Sequence, residues 1–167
     1  MRNGLGRAFA GCTVILIGAL AACETDDDTP ALQPAISAEF HSSDLTGGLG
    51  LPFSESAQVG NLLFLSGMIG TRPGTLELVP GGLEPESRQA LENIRHMLEA
   101  AGGSIRDVVK CTVMLDDMSQ WPAFNQIYVD FFGDHRPARS AFGSDGLALG
   151  AAVEVECIAM LPNHAAT

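Results

Sequence analysis

Two side chains near the C-terminal end of this sequence are suited to act together on a small polar molecule. Arg139 lies in HRPARSAFG and Glu156 in VEVECIAM, with 16 residues between them. A guanidinium stays charged at any biological pH and grips a planar carboxylate with two parallel hydrogen bonds. A glutamate facing a partly apolar cleft has a raised pKa, which suits a group that orients a water and takes and returns protons. Ala138 to Ala141 follows a proline and precedes a glycine-rich turn, and Val153 to Ala159 alternates polar and apolar residues as a strand does. Two neighbouring strands there would carry both groups to one pocket. Each has a rival: Arg136 lies three residues before Arg139, and Glu154 shares a strand face with Glu156 and could exchange roles with it. Each also has a plainer alternative, a surface ion pair for the arginine and a structural salt bridge at an interface for the glutamate. Backbone groups would finish such a site. Gly67, in Leu65-Ser66-Gly67, has no Cβ and lets a main chain approach a ligand closely. The amide of Ala141 is placed to donate in the manner of an oxyanion hole.

The elements that must position these groups follow from the apolar pattern. Asn61 to Ile69 (NLLFLSGMI) is a near-continuous apolar run of strand length, and Val108 to Leu115 is another. Between them Ser87, Leu91, Ile94, Leu98 and Ala101 recur at intervals of three and four, which predicts an amphipathic helix opened by Pro85 and closed by Gly102. Strand, helix and strand in that order predict a right-handed parallel crossover. A second helix is predicted from about Ser119 to Phe132. Ser119 is its expected N-cap, Pro122 fits its first turn, Trp121, Phe124, Ile127, Tyr128 and Phe131 make its buried stripe, and Gly133 ends it. Two helices cover one face of a sheet, yet these strands are apolar on both faces. Leu63 and Leu65 alternate with Leu62 and Phe64, and Ile158 and Met160 share a face with Glu154 and Glu156. A second apolar face left in water would be a large hydrophobic patch, so something must cover it.

The first 22 residues read as an export signal: Arg2 and Arg7 are its positive region, Cys12 to Leu20 its short apolar run, and Leu20-Ala21-Ala22-Cys23 its small-residue cleavage site. LAAC resembles the bacterial lipobox, whose new N-terminal cysteine, here Cys23, is lipidated. Residues 23–38, with three consecutive aspartates, read as an acidic tether, and residues 39–164 as the folded domain. The destination expected is the periplasmic side of a bacterial membrane, with the protein held there by its lipid. Removing residues 1–22 takes away Arg2 and Arg7 and no acid, which leaves 7 basic and 20 acidic residues, a net charge of −13. With Lys110 its one lysine, such a chain is not built for nucleic acid or for anionic headgroups. Cys111 and Cys157 sit in strand-like runs where cysteine usually behaves as a small buried hydrophobe. An oxidising compartment would permit a disulfide between them, but spacing alone does not set their distance. No CxxC or HxxxH spacing occurs, and the four histidines are scattered, so no metal site is expected.

Taken together, Pro52-Phe53-Ser54, Val59-Gly60-Asn61, Leu65-Ser66-Gly67, the helical stretch Ser87 to Gly102, Asp107 to Leu115, Phe124-Asn125 to Phe132, Arg136-Pro137-Ala138-Arg139-Ser140 and Val153-Glu154-Val155-Glu156 resemble the RidA/YjgF family of small 2-imino acid (enamine/imine) deaminases. The resemblance implies one α+β domain of the chorismate-mutase-like kind, a mixed sheet covered on one face by two helices. It also implies a homotrimer with the sheets turned inward and three equivalent clefts at the subunit boundaries. It implies that Arg139, the second arginine of RPARS, binds the carboxylate of the imino acid, that Glu156 positions or activates water, and that Asn125 occupies a family position on the second helix. The reaction implied is hydrolysis of 2-imino acids to 2-keto acids and ammonia without metal or organic cofactor. Two positions depart from the family. Phe53 stands where well-characterised members have a tyrosine, and Met68 where many have glutamine; both make the cleft more apolar. The other reading in view is a non-catalytic trimeric lipoprotein that uses Arg139 to hold a small carboxylate.

Overall fold

The computed structural model describes residues 37–162. The expected export signal, the lipidated Cys23, nearly all of the tether and residue 164 lie outside the described residues. Seven strands form one sheet: Ala38–His41 (β1), Ser56–Val59 (β2), Leu62–Leu65 (β3), Met68–Ile69 (β4), Val108–Leu115 (β5), Ala138–Gly143 (β6) and Val153–Met160 (β7). The helices are Leu83–Ala100 (α1) and Trp121–Phe132 (α2). Strand order is β1-β2-β3-β7-β5-β6, and β4 takes up beside β7 where β3 leaves it. Only β5 and β6 run parallel, so the sheet is mixed.

Both helices lie on one face, and period-two alternation decides what they cover. Leu63, Leu65, Cys111, Val113, Leu115, Val153, Val155, Cys157 and Ala159 point inward and are buried with Leu91, Ile94 and Leu98 of α1 and Phe124, Ile127, Tyr128 and Phe132 of α2. The intervening residues form the opposite face, much of which no described residue covers in the single chain. There Phe40, Phe64, Phe142 and Met160 are 70, 39, 49 and 50 % exposed.

Several expectations are corrected. The apolar run from Asn61 to Ile69 is two strands, because Ser66 leaves the ladder: its N–H donates to the Glu55 carbonyl at 2.8 Å and its hydroxyl to the Ser54 carbonyl at 2.7 Å. The two strands flanking α1 run in the same direction, as a parallel crossover requires, with one strand between them. The C-terminal strand β7 inserts between them, an arrangement that local periodicity cannot reveal because the pairing is long-range. The adjacent parallel pair is β5 and β6, joined through α2. Helix α1 starts at Leu83, with Pro85 in its first turn, and Gly102 with φ 78° lies just past its end. Ser119 is not the cap of α2. It sits in a short 3₁₀ turn, Met118–Gln120, where its N–H donates to the Asp117 carboxylate at 2.8 Å.

Cys111 and Cys157 are joined by a disulfide. They face each other directly across the antiparallel β5–β7 pair, with Cα atoms 4.1 Å apart, and both side chains point into the helix-covered core. The sequence leaves this pairing open, because deciding it requires knowing that the last strand lies beside β5.

Candidate functional site

Arg139 is held from three sides. It lies on β6, the edge strand, and its register partner on β5 is Cys111, so its side chain emerges on the helix-covered face. There α2 presents Trp121, Asn125 and Tyr128, spaced so that all three share one helix face. The guanidinium carbon lies 4.4 Å from the centre of the Trp121 ring and 4.5 Å from that of Tyr128, and one guanidinium nitrogen donates to Asn125 Oδ1 at 2.7 Å. Arginine stacks on aromatic faces through its delocalised charge, and stacking leaves its in-plane donors available. Among the described residues no carboxylate lies within ion-pair distance of it, whereas five other basic side chains, Arg72, Arg88, Arg95, His96 and Arg106, each have one. On an acidic chain, a guanidinium oriented by aromatic rings and left without a counter-ion among the described residues is suited to receive an anion from elsewhere. Tyr128 is buried, which pushes its hydroxyl pKa up to about 12 against the opposing influence of Arg139, so the ring stays neutral beneath the charge. The rival Arg136 folds back, with Nη1 donating to the Gly133 and His135 carbonyls past the end of α2. Ala141 follows Arg139 by two residues on the same face of β6 and packs against the core. As an edge strand, β6 has alternate main-chain groups unpaired by β5.

The carboxylates belong to the other face. Glu154 and Glu156 lie on β7 on the uncovered side, paired in register with Met114 and Thr112 of β5. Glu154 is partly enclosed; burial first, and then the neighbouring Glu156 charge, raise its pKa above the usual carboxylate value. Glu156 is exposed. Gly67 sits against Glu154 in the break between β3 and β4. A Cβ at position 67 would run into the Glu154 carboxyl, its Cδ only 2.8 Å away, so the glycine makes room for this side chain. Both residues line a cavity of about 350 Å³, together with Phe53 and Met68.

The expectation that Arg139 and Glu156 meet on neighbouring strands is therefore wrong for one chain. Strand β5 separates them, at about 10 Å for two inter-strand spacings, and they project from opposite faces. Of the residues singled out in the sequence, Arg139, Asn125 and Ala141 gather at the β6–α2 corner, whereas Phe53 and Gly67 line the cavity with Glu154, two residues before the exposed Glu156. Trp121 and Tyr128 were assigned only to the buried stripe of α2. Their spacing of four and three residues from Asn125 was the signal that they stand beside it. Among the described residues no three His, Cys, Asp or Glu side chains converge as a metal would require.

A family model described as Endoribonuclease L-PSP matches residues 50–161. Among curated proteins the chain is 43% identical over 108 residues to a RutC family protein of Pyrococcus horikoshii, covering 65% of this chain and 86% of that protein. It is 41% identical over 109 residues to a 2-iminobutanoate/2-iminopropanoate deaminase of Mus musculus, covering 65% of this chain and 81% of the relative. Among solved structures it is similar to RidA from an Antarctic Psychrobacter, with TM-score 0.69 and 35% identity over 74% of this chain and 99% of that one. It is also similar to E. coli TdcF with bound serine, with TM-score 0.68 and 29% identity over the same shares.

Proposed function

Because this chain belongs to the RidA/YjgF family, whose model bears the description Endoribonuclease L-PSP, we propose that it hydrolyses 2-imino acids to 2-keto acids and ammonia, without metal or organic cofactor. The observation that carries this reading is the uncompensated Arg139, stacked between Trp121 and Tyr128 and tied to Asn125. Its free donors match a carboxylate. Imines hydrolyse in water unaided, so the protein needs to supply only orientation and a placed water. Glu156 takes a proton from the water as the oxygen adds to the imine carbon and passes it to the nitrogen; the hydroxyl proton of the resulting carbinolamine then moves to the nitrogen as the carbon–nitrogen bond breaks, which releases ammonia and leaves the keto carbonyl. Main-chain donors at Gly67 and Ala141 would steady the substrate. Endonuclease activity fits poorly: the chain carries a net charge of −11 and one lysine, whereas phosphate backbones require clustered basic residues.

Arg139 and Glu156 cannot serve one substrate from a single chain, which argues for a site shared between copies: Arg139 from one, Glu156, Gly67 and Phe53 from the next. The exposed apolar sheet face supplies the surface for such an assembly, and a homotrimer with three equivalent clefts is the arrangement we favour. Two features support a periplasmic, lipid-anchored location. Leu20-Ala21-Ala22-Cys23 fits lipidation at Cys23 and periplasmic membrane anchoring, and the Cys111–Cys157 bond belongs in an oxidising environment. The second reading, a carboxylate-binding lipoprotein without turnover, is favoured by Phe53, which lines the cavity with a ring that lacks a hydroxyl.

One assay decides between them. An amino acid oxidase generates an imino acid in the cuvette, and the purified protein should accelerate its loss. Binding of the corresponding keto acid with no acceleration on any imine would give the case to the binding reading.

A further inference from the structure

The cavity beside Gly67 deepens the proposed reaction, on which this inference rests, by indicating what substrate it takes. At about 350 Å³ it lies within the range of small-molecule sites. Its wall is mostly hydrocarbon: Leu45, Leu49, Leu51, Phe53, Met68 and Leu149 line it. The polar side chains in it are largely committed elsewhere. The Asn93 amide donates to the Ile69 and Thr71 carbonyls at 3.4 and 3.0 Å, and the Thr46 hydroxyl donates to Glu55. Among the described residues Glu154 is the one ionisable group that lines it. Leu149 adds a second sign of construction. It is the one non-glycine residue among those described with positive φ, at 58°, and it is 55 % exposed in the single chain. Leucine is disfavoured in that conformation, which is retained where surrounding structure imposes it, often at ligand sites.

We propose that this cavity is the side-chain subsite of the cleft, that it selects imino acids with a bulky apolar side chain, and that Glu154 at its rim acts as the proton donor to the imine nitrogen. Water addition turns the C=N bond into a carbinolamine, and collapse of the carbinolamine breaks the C–N bond, so both protons of the water end on the departing ammonia. Glu156 carries one from the attacking water. Glu154, which burial and the Glu156 charge keep protonated to higher pH, gives the nitrogen the other and recovers a proton from the carbinolamine hydroxyl as the carbonyl forms. Two carboxyls two residues apart on one strand face, one enclosed and one open to water, are suited to acid and base roles respectively.

The experiment measures binding and turnover separately on the full-length protein. By calorimetry, the keto acid derived from leucine should bind at least about tenfold more tightly than pyruvate, and Leu149→Asn should erase most of that preference. Asparagine tolerates the same backbone conformation, so the variant should fold. Glu154→Gln should lower kcat on leucine-derived imine by about 100-fold, with keto-acid affinity little changed. Equal affinity for the two keto acids would overturn the subsite, and undiminished turnover by Glu154→Gln would overturn the proton donor. If wild type turns over no imine while the affinity preference survives, the reaction proposed above and the donor role fall together, and the apolar ligand class stands.

Discussion

On the helix-covered face of the sheet, Arg139 is fixed by two aromatic rings and an amide, whereas on the open face Glu154 and Glu156 have no basic partner within ion-pair distance among the described residues. The first region is finished within one chain: its charge is oriented, and only its counter-ion is lacking. The second is half of something. Its carboxylates stand among exposed phenylalanines and methionines, a surface that soluble monomers seldom present. The contrast teaches that the proposed binding group and the proposed reacting groups sit in separate parts of one chain, and that a second copy is the simplest means of bringing them to one substrate.

The largest effect expected is on the finished half. Arg139→Ala should reduce kcat/KM by about 30- to 1,000-fold, the worth of about 2 to 4 kcal/mol for a lost charge-assisted pair of hydrogen bonds, with the melting temperature nearly unchanged. Arg139→Lys should recover only a small part of that, since it keeps the charge and loses the fork. Full activity in either variant would remove Arg139 from the mechanism.

The disulfide joins the two regions, because Cys111 is the register partner of Arg139 and Cys157 follows Glu156. Replacing both cysteines by alanine should cost about 2 to 4 kcal/mol of stability, read from urea denaturation with and without reductant. Reductant should destabilise the wild type and leave the double variant unmoved. Identical midpoints for all four samples would mean that the bridge contributes nothing.

Trp121→Leu isolates the orientation of the arginine from its charge. A cation–π contact of about 0.5 to 2 kcal/mol corresponds to roughly a 2- to 30-fold loss in carboxylate affinity, with KM raised more than kcat is lowered. A fall in kcat alone would place Trp121 elsewhere in the mechanism.

The smallest effect concerns Glu154 and has a definite sign. Its folded pKa is raised by burial and by Glu156, so the folded state holds the proton more tightly than the unfolded chain, and stability falls as pH rises through the window that begins near the ordinary carboxylate value. Glu154→Gln should therefore raise the melting temperature at neutral pH by about 1 to 4 °C, and the gain should fade as pH drops below that window. A gain that grows in acid would show that the group is held charged.

Much of this fold was legible in the sequence, for identifiable reasons. Recurrence at three and four fixed both helices because Leu91, Ile94, Leu98, Phe124 and Ile127 bury against one sheet, and alternation along VEVECIAM placed Glu154 and Glu156 on the face opposite the core. Strand order was not legible. The insertion of β7 beside β5 is a long-range pairing with no local trace, so the sequence could neither separate the strands that carry Arg139 and Glu156 nor decide whether Cys111 and Cys157 pair. The role of Gly67 was partly legible. Its missing Cβ does allow a close approach, but what approaches in this chain is the Glu154 carboxyl. The stacking of Trp121 and Tyr128 on Arg139 depends on α2 crossing the edge strand, which spacing within the helix suggests and does not establish.

The central claim, that a working site takes Arg139 from one copy and Glu156 from another, can be tested by mixing two inactive proteins. Arg139→Ala and Glu156→Gln should each be nearly inactive alone. Unfolded together and refolded into mixed assemblies, a quarter of the shared clefts should hold both native residues if copies combine at random, so activity should return to about a quarter of wild type. No recovery from assemblies shown to be mixed would mean that both residues must come from the same chain, which would contradict the shared cleft.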